Sequence, residues 1–337
     1  MKMRNLLHTL AALCAAAWLV PAAHAADACT NRGELDTMYC DANKDMVADT
    51  PTDAKKWKNP STIVFTYTPV EDPAVYENVF KPFTDYLAKC TAKRVVYFPV
   101  QSNSAEIEAM RSGRLHVAGF STGPTGFAVN MAGAIPFAAK GTADQYRGYH
   151  LAMVVKADSP YKTLADLKGK KVAHTAASSN SGNLAPRALF PAEGLMPDRD
   201  YKPLFSGKHE HSIAGVAAGD YDAAPIAHDI LERMAERGTV KMDDFRIIWK
   251  SRNFPPGGLS MAHDLAPALA AKIRECTHAF RYTPEMQKGF QGADRWLPID
   301  YKRDWAIVRD VAQASGQSFT REAFEREKAR AEAAKKK

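Results

Sequence analysis

From residue 59 onward, short apolar segments alternate with longer amphipathic ones, and this alternation restricts the fold more than any other feature. Residues 62–65 are typical of a strand, and residues 75–89 have apolar side chains at helical spacing. A strand at 94–100, a helix at 105–112 and a strand at 115–120 follow. Strands separated by helices of this length predict an α/β fold, in which each sheet is mixed, mostly parallel and flanked by helices.

The pattern then restarts, which predicts a second lobe inserted into the first. A strand predicted at 149–156 leads out of the first set of elements, and one at 258–261 leads back. We therefore assign residues 59–150 and 256–337 to lobe 1 and residues 151–255 to lobe 2, with a two-strand hinge. Clefts between lobes joined in this way are common ligand sites, and hinge closure is a standard motion.

The last part of lobe 1 differs in composition from the rest. Residues 318–337 are rich in charged side chains and end in three lysines. We expect a charged helix or a frayed tail whose surface is solvated.

The N-terminus is typical of a cleavable secretion signal. Lys2 and Arg4 precede an almost unbroken apolar run from Leu6 to Val20, and residues 23–25 fit a small-residue cleavage motif. The run is too short for a stable membrane span. We therefore expect residues 1–25 to be removed and the protein to be exported to the periplasm.

Size and charge agree with a two-lobed exported protein. The formal net charge of the full chain is +7, and loss of two basic residues with the signal lowers it to +5. This balance favours solubility and a modest attraction for anions, and export argues against a nucleic-acid partner. The length beyond the signal exceeds the usual size of one hydrophobic core.

Four cysteines remain beyond the signal: Cys29, Cys40, Cys90 and Cys276. An even number in an oxidising compartment favours disulfides. Cys29 and Cys40 are close in sequence and would staple an N-terminal extension, residues 26–58. A Cys90–Cys276 bridge follows only by elimination.

The same extension contains an acidic loop whose oxygen-bearing side chains alternate along the chain. The candidate ligands are Asp41, Asn43, Asp45 and Asp49. Their spacing suits Ca²⁺ and resembles the calcium loops of thrombospondin-type repeats, although Met46 stands where those loops have glycine. The prediction is a structural calcium site, and we expect no other cofactor.

Residues 172–184 combine the end of a strand, a turn rich in hydroxyl and amide groups, and the start of a helix. The first turn of a helix has unpaired backbone N–H groups at the positive end of its dipole, which favours anions. Ser179, Asn180 and Ser181 would add side-chain donors. An ordinary helix cap is the alternative, but four capping-type residues in succession exceed what a cap requires. The turn therefore predicts an anion site.

The chain resembles the phosphonate- and phosphite-binding periplasmic proteins of ABC importers, which have a type II periplasmic-binding fold. The resemblance covers roughly residues 60–280. It is carried, in the family's order, by residues 68–73, 108–113, 166–172, 178–182, 206–210 and 218–224. The serine-rich turn together with the Gly-x-His of residues 207–209 is the most diagnostic part.

The resemblance implies that the serine-rich turn grips a phosphorus oxyanion and that His209 donates to it from the same lobe. Asn180 stands where the family commonly has threonine. The carboxylate that in some members binds the amine of aminoethylphosphonate should fall at Ala227. An ammonium group would lack its partner there, so the ligand is expected to be phosphite, methylphosphonate or phosphate.

Lobe 1 should supply further contacts to the ligand. Tyr67, Ser121 and Thr122 lie at the carboxyl ends of predicted strands, where open α/β sheets usually bind ligands. Asn103 takes the position of a tyrosine that the family often carries. For Tyr67, Ser121 and Thr122, a role as ordinary turn residues is an equal alternative.

Together these features predict a monomeric solute-binding component of an ABC importer, with the membrane permease as its partner. The alternative is a periplasmic oxyanion sensor that signals to a membrane histidine kinase. An enzyme is not expected, because the sequence lacks G-x-S-x-G, H-E-x-x-H and P-loop motifs.

Overall fold

The structure is a computed structural model that describes residues 29–68, 70 and 73–334, so the predicted signal segment lies outside the described residues. The strands are β1 (Thr62–Tyr67), β2 (Arg94–Tyr97), β3 (Val117–Phe120), β4 (Ala134–Gly141), β5 (Tyr149–Lys156), β6 (Ala173–His174), β7 (Leu204–Phe205), β8 (Ala223–Ala227), β9 (Phe245–Phe254), β10 (Gly258–Ala262) and β11 (Arg295–Pro298). The helices are α1 (Pro73–Thr91), α2 (Asn103–Arg111), α3 (Thr122–Ala132), α4 (Ala185–Leu189), α5 (His209–Ala218), α6 (His228–Glu236), α7 (Pro267–Ala279), α8 (Pro284–Gly289), α9 (Tyr301–Asp304), α10 (Ala306–Ala314) and α11 (Arg321–Ala334). A π-helical turn, Asn180–Leu184, precedes α4.

The first sheet has the strand order β11-β4-β10-β3-β1-β2. Strand β1 lies parallel to both β2 and β3, while β10 is antiparallel to β3 and β4. Helix α1 covers this sheet with its apolar stripe, and the fully buried rings of Phe80 and Phe83 lie 5.2 and 5.6 Å from the ring of Phe65. The apolar spacing that predicted α1 is therefore the spacing that packs it.

A second sheet is built from the chain between the two crossings. Strand β5 pairs antiparallel with β8 and β9, β6 pairs parallel with β7, and a bridge between Val172 and Ala223 joins the two ladders. The sheets are mixed as predicted, but among the ladders of the described strands five are antiparallel and three parallel, so "mostly parallel" is wrong. In the first sheet, every antiparallel ladder involves β10 or β11, the strands that the chain adds after it returns from the second lobe. In the second sheet, β5 leads the chain out and β9 leads it back, so these neighbours run in opposite directions, and β8 is also antiparallel to β5.

Both disulfides predicted from the cysteine count are present. Cys29 pairs with Cys40, and Cys90 pairs with Cys276, with Cα–Cα distances of 5.5 and 6.0 Å. The second bridge joins the end of α1 to α7, across a separation of 186 residues. It therefore closes a long loop in the unfolded chain.

The acidic loop in the N-terminal extension is folded on its own hydrogen bonds. Asp41 accepts the backbone N–H groups of Asp45 and Met46 at 2.9 and 3.2 Å, and Asp49 accepts that of Ala42 at 2.7 Å. Within the part of the chain that the structure describes, no three His, Cys, Asp or Glu side chains are grouped to hold a metal. The predicted ligands were Asp41, Asn43, Asp45 and Asp49. Their oxygens serve the loop's own N–H groups, so the geometry does not support the site, and calcium binding stays a prediction.

The C-terminal segment differs from the solvated surface predicted for it. Phe319, Ala323, Phe324 and Glu327 are all buried, and α11 packs on α2 and α3. The buried face of this segment could not be predicted from its many charged residues, because only a few of its positions point inward. Among the described residues, no helix has the length and apolarity that crossing a bilayer requires.

Candidate functional site

A cavity of about 70 Å³ lies between the two lobes. Its lining includes Tyr67, Val70, Tyr76, Ser121, Thr122, Lys140, Pro256, Gly257 and Phe290 from one side, and Tyr149, Ser179, Asn180, Ser181, His209, Ala227, Asp229, Ile230 and Arg233 from the other. Clefts for drug-sized ligands are several times larger, about 300–1,000 Å³. The space therefore suits a ligand of few heavy atoms.

The structure brings most of the predicted site residues together around this cavity. Tyr67, Ser121, Thr122, Ser179, Asn180, Ser181 and His209 line it. Asn103 does not, because its amide nitrogen donates instead to the Ser178 hydroxyl at 2.9 Å. Asn103 thus connects the two lobes beside the cavity, where it lines a small adjoining pocket with Ser121, Ser179 and His209, and its contact with the ligand stays a prediction.

The serine-rich turn combines capping with donors that face the cavity. Ser179 Oγ accepts the backbone N–H of Gly182 at 3.1 Å, as a helix cap does. Asn180 and Ser181, both buried, begin the π-helical turn, so their N–H groups have no acceptor within that turn. A side chain at position 182 would overlap the Thr175 hydroxyl, which explains the glycine. Capping and anion binding are thus compatible in one turn.

His209 is held in a defined tautomer. The backbone N–H of Ala227 donates to His209 Nδ1 at 3.3 Å, so in the neutral ring the proton is on Nε2. Nε2 lies 3.4 Å from Ser179 Oγ, at the cavity wall. The histidine therefore presents an N–H donor beside the serine-rich turn, as the Gly-x-His pattern predicted.

Two predicted site residues of lobe 1, Thr122 and Ser121, are held in place by hydrogen bonds to other segments of the chain. Thr122 donates its hydroxyl proton to the carbonyl oxygen of Pro255 at 3.0 Å, so it positions the segment that crosses back into lobe 1. The N–H of Ser121 donates to Thr68 Oγ1 at 2.8 Å, and that hydroxyl donates to Glu106 at 2.8 Å. Burial raises the pKa of Glu106 well above its usual value.

Tyr149, at the start of β5, is a site residue that sequence reasoning missed. The Asn180 amide donates to its hydroxyl oxygen at 3.0 Å, and burial raises the pKa of Tyr149 to about 12. The phenol is therefore protonated at neutral pH and adds a hydroxyl to the cavity wall. A tyrosine that begins an apolar strand carries no sequence signal of such a role.

A cluster of three charged side chains was also missed. Asp229 Oδ2 lies 3.0 Å from Arg233 Nη1 and 3.8 Å from Lys140 Nζ, and all three residues are buried at the cavity. Burial raises the pKa of Asp229, but Arg233 and Lys140 lower it further, so it stays below its usual value. Only the spacing of Asp229 and Arg233, one helical turn apart, was visible in the sequence.

The comparisons with known proteins agree with this geometry. The family model for the periplasmic substrate-binding protein of phosphonate ABC transporters matches residues 65–305. The chain is similar to the phosphate-import protein PhnD of Mycolicibacterium smegmatis, with 28% identity over 267 residues, 74% of this chain and 81% of that protein. It is also similar to the phosphonates-binding periplasmic protein of Escherichia coli, with 26% identity over 231 residues, 67% of this chain and 68% of that protein.

Solved structures support the fold. PhnD1 from Prochlorococcus marinus, in complex with methylphosphonate, matches with a TM-score of 0.69 and 18% identity, covering 77% of this chain and 100% of that one. The predicted two-lobed type II periplasmic-binding fold is therefore confirmed. At the level of the family, the protein is the substrate-binding component of a transporter rather than an enzyme. The chain belongs to the phosphonate-binding periplasmic substrate-binding proteins of ABC transporters.

Proposed function

We propose that the protein binds a small phosphorus oxyanion without an ammonium group and delivers it to an ABC permease. Phosphite, methylphosphonate and phosphate are the candidate ligands. The observation that carries this choice is the lining of the cavity, in which neutral hydroxyl and imidazole donors meet the Lys140–Asp229–Arg233 cluster and position 227 is an alanine.

The neutral donors suit an oxyanion. Ser179, Ser181, His209 and Tyr149 offer hydroxyl and imidazole N–H groups to one small volume. Hydrogen bonds from neutral donors to an ionised acceptor are short and roughly twice as strong as neutral pairs. They gain further strength when the lobes close and remove water.

The charged cluster disfavours an amine. Position 227, where an amine-binding carboxylate was expected, is an alanine, and the nearby carboxylate of Asp229 is already shared by two cations. An ammonium group would therefore find no carboxylate at position 227 and, at Asp229, only one that already pairs with Lys140 and Arg233.

The direct test is calorimetric titration of the mature, ligand-stripped protein with phosphite, methylphosphonate, phosphate and aminoethylphosphonate. Tight binding of one of the first three, with weak or no binding of aminoethylphosphonate, is expected. Preferred binding of aminoethylphosphonate, or no binding of any of the four, would contradict the proposal.

Variants locate the site. Ser181→Ala and His209→Ala should each weaken binding by roughly 10- to 100-fold, since each removes a donor to a charged group. Ser159→Ala is the matched control, because Ser159 does not line the cavity and donates to the Lys156 carbonyl oxygen instead. Unchanged affinity in both site variants would refute this assignment.

A further inference from the structure

The C-terminal helix reaches across the cleft to the residue that precedes the serine-rich turn. Glu327, on α11, is 4% exposed. Its carboxylate accepts the Ser178 hydroxyl at 2.9 Å and the Ser178 backbone N–H at 3.1 Å. We infer that Glu327 is a positioning residue, which holds the anion-binding turn in place from the opposite lobe when the cleft is closed. This inference rests on the proposed function of that turn.

Helix α11 is anchored in lobe 1. The ring of Phe319 lies 5.0 Å from that of Phe127 on α3, and the Asn130 amide donates to the Phe319 carbonyl oxygen at 3.0 Å. Arg321 forms an ion pair with Asp36 in the N-terminal extension. Helix α11 is therefore packed on lobe 1, and the Glu327 side chain points from it toward Ser178 of lobe 2.

Ser178 belongs to lobe 2 but is held by groups from lobe 1. Besides Glu327, the Asn103 amide donates to its hydroxyl at 2.9 Å. Gly123 of α3 packs against its backbone so closely that a side chain there would overlap the Ser178 carbonyl oxygen. Three elements of lobe 1 thus converge on one residue. That residue is adjacent to Ser179, so its position decides where the ligand donors point.

A second contact of the same helix reaches lobe 2. The guanidinium of Arg330 lies 5.1 Å from the centre of the Phe205 ring on β7. Phe205 pairs with His174, the last residue of the strand that leads into the serine-rich turn. Helix α11 therefore touches the strand pair below the turn as well as the turn itself.

The use of both Ser178 donors by Glu327 also defines which groups remain for the ligand. The N–H and the O–H of Ser178 are both donated to the carboxylate. The ligand is therefore left with the donors that follow, on Ser179, Asn180 and Ser181. The position of the buried carboxylate behind the turn explains why four capping-type residues occur in succession: the first serves closure and the next three serve the ligand.

The test compares Glu327→Gln with Glu325→Gln, which makes the same charge change at an exposed position of the same helix. Calorimetric titration with the tightest of the four oxyanions should show that Glu327→Gln raises Kd by roughly 10- to 100-fold, because one of the two carboxylate oxygens that accept from Ser178 becomes an amide donor. Glu325→Gln should match the wild type. Melting curves should show that both ligand-free variants are folded at the titration temperature, so that a higher Kd for Glu327→Gln reports positioning and not unfolding.

A double-mutant cycle with Ser178→Ala gives the sharper criterion. If Glu327 acts through Ser178, the double variant should bind no more weakly than the weaker single variant, since both changes remove one contact. Additive losses would overturn the inference. So would equal Kd values for Glu327→Gln and Glu325→Gln.

The failure of the proposed function is distinguishable from the failure of this inference. If none of the four oxyanions binds the wild type, the proposed function fails, and small-angle X-ray scattering of the ligand-free proteins tests the contact alone. A larger radius of gyration in Glu327→Gln than in Glu325→Gln supports the inference. Equal radii overturn it.

Discussion

Replacing Arg233 by methionine isolates the ion-pair cluster at the wall of the cavity. The change keeps an unbranched apolar stem but removes the guanidinium that donates to Asp229 Oδ2 at 3.0 Å. Asp229, which is buried, then retains Lys140 at 3.8 Å. Breaking a buried ion pair typically costs about 3–5 kcal/mol. Because one cation remains, we expect a loss near the lower end, about 3 kcal/mol of unfolding free energy at pH 7.

The loss should depend on pH in a defined direction. Burial raises the pKa of Asp229, but Arg233 and Lys140 lower it further, so the folded-state pKa lies below the usual value. A carboxyl of this kind contributes stability that is fully present above its unfolded pKa, about 3.9. That contribution is lost as the pH falls through the folded value. The difference between wild type and Arg233→Met should therefore be full at pH 7 and smaller at pH 3.

Urea unfolding followed by tryptophan fluorescence measures both values. Arg252→Met is the control, because Arg252 is exposed and does not line the cavity. Titration should also show weaker binding of methylphosphonate by Arg233→Met, since a cation at the cavity is removed. An unchanged unfolding free energy at pH 7 would refute the ion-pair argument. An equal loss at pH 7 and pH 3 would assign the effect to packing alone.

Two further predictions concern closure and the long disulfide. Gly123→Ala should favour α3 by up to about 1 kcal/mol through helix propensity, yet weaken oxyanion binding at least tenfold, because the new Cβ would overlap the Ser178 carbonyl oxygen. Gly289→Ala, where a Cβ meets nothing closer than 3.8 Å, is its control, and equal calorimetric Kd values for the two would contradict the close approach. Replacing Cys90 and Cys276 together by serine should lower the unfolding free energy by about 2–5 kcal/mol and leave Kd unchanged, because the bridge joins α1 to α7 away from the cavity. Urea unfolding measures the change in free energy, and calorimetry measures Kd. An altered Kd at unchanged stability would contradict this prediction.

The parts of the site that could be predicted are those whose chemistry is contiguous in the chain. Ser179, Asn180 and Ser181 are consecutive, so the turn that presents them is visible as a local composition. His209 stands two residues after Gly207, at the start of α5, which is again a local pattern. Strand and helix positions followed from apolar periodicity, since the side that packs is set by the geometry of each element.

The parts that could not be predicted are contacts between distant segments. Lys140 and Asp229 meet across the cleft from β4 and α6, and nothing near either residue indicates the other. Glu327 and Ser178 are 149 residues apart, and the charged surroundings of Glu327 predict a solvated face rather than a buried carboxylate. The acidic loop is a different case: its spacing predicted a calcium site, its carboxylates accept backbone N–H groups of the loop, and calcium binding stays a prediction.

The amino-acid sequence by itself determined the alternation of elements, the cysteine pairs and the serine-rich turn, because each depends on residue types at short spacing or on chain order. Only the tertiary structure decided the direction of the strand pairs, the meeting of Lys140 with Asp229 at the cavity and the contact of Ser178 with Glu327. These depend on which side chains the two lobes bring within hydrogen-bond distance. These distances depend on packing over the whole chain and cannot be inferred from any one segment.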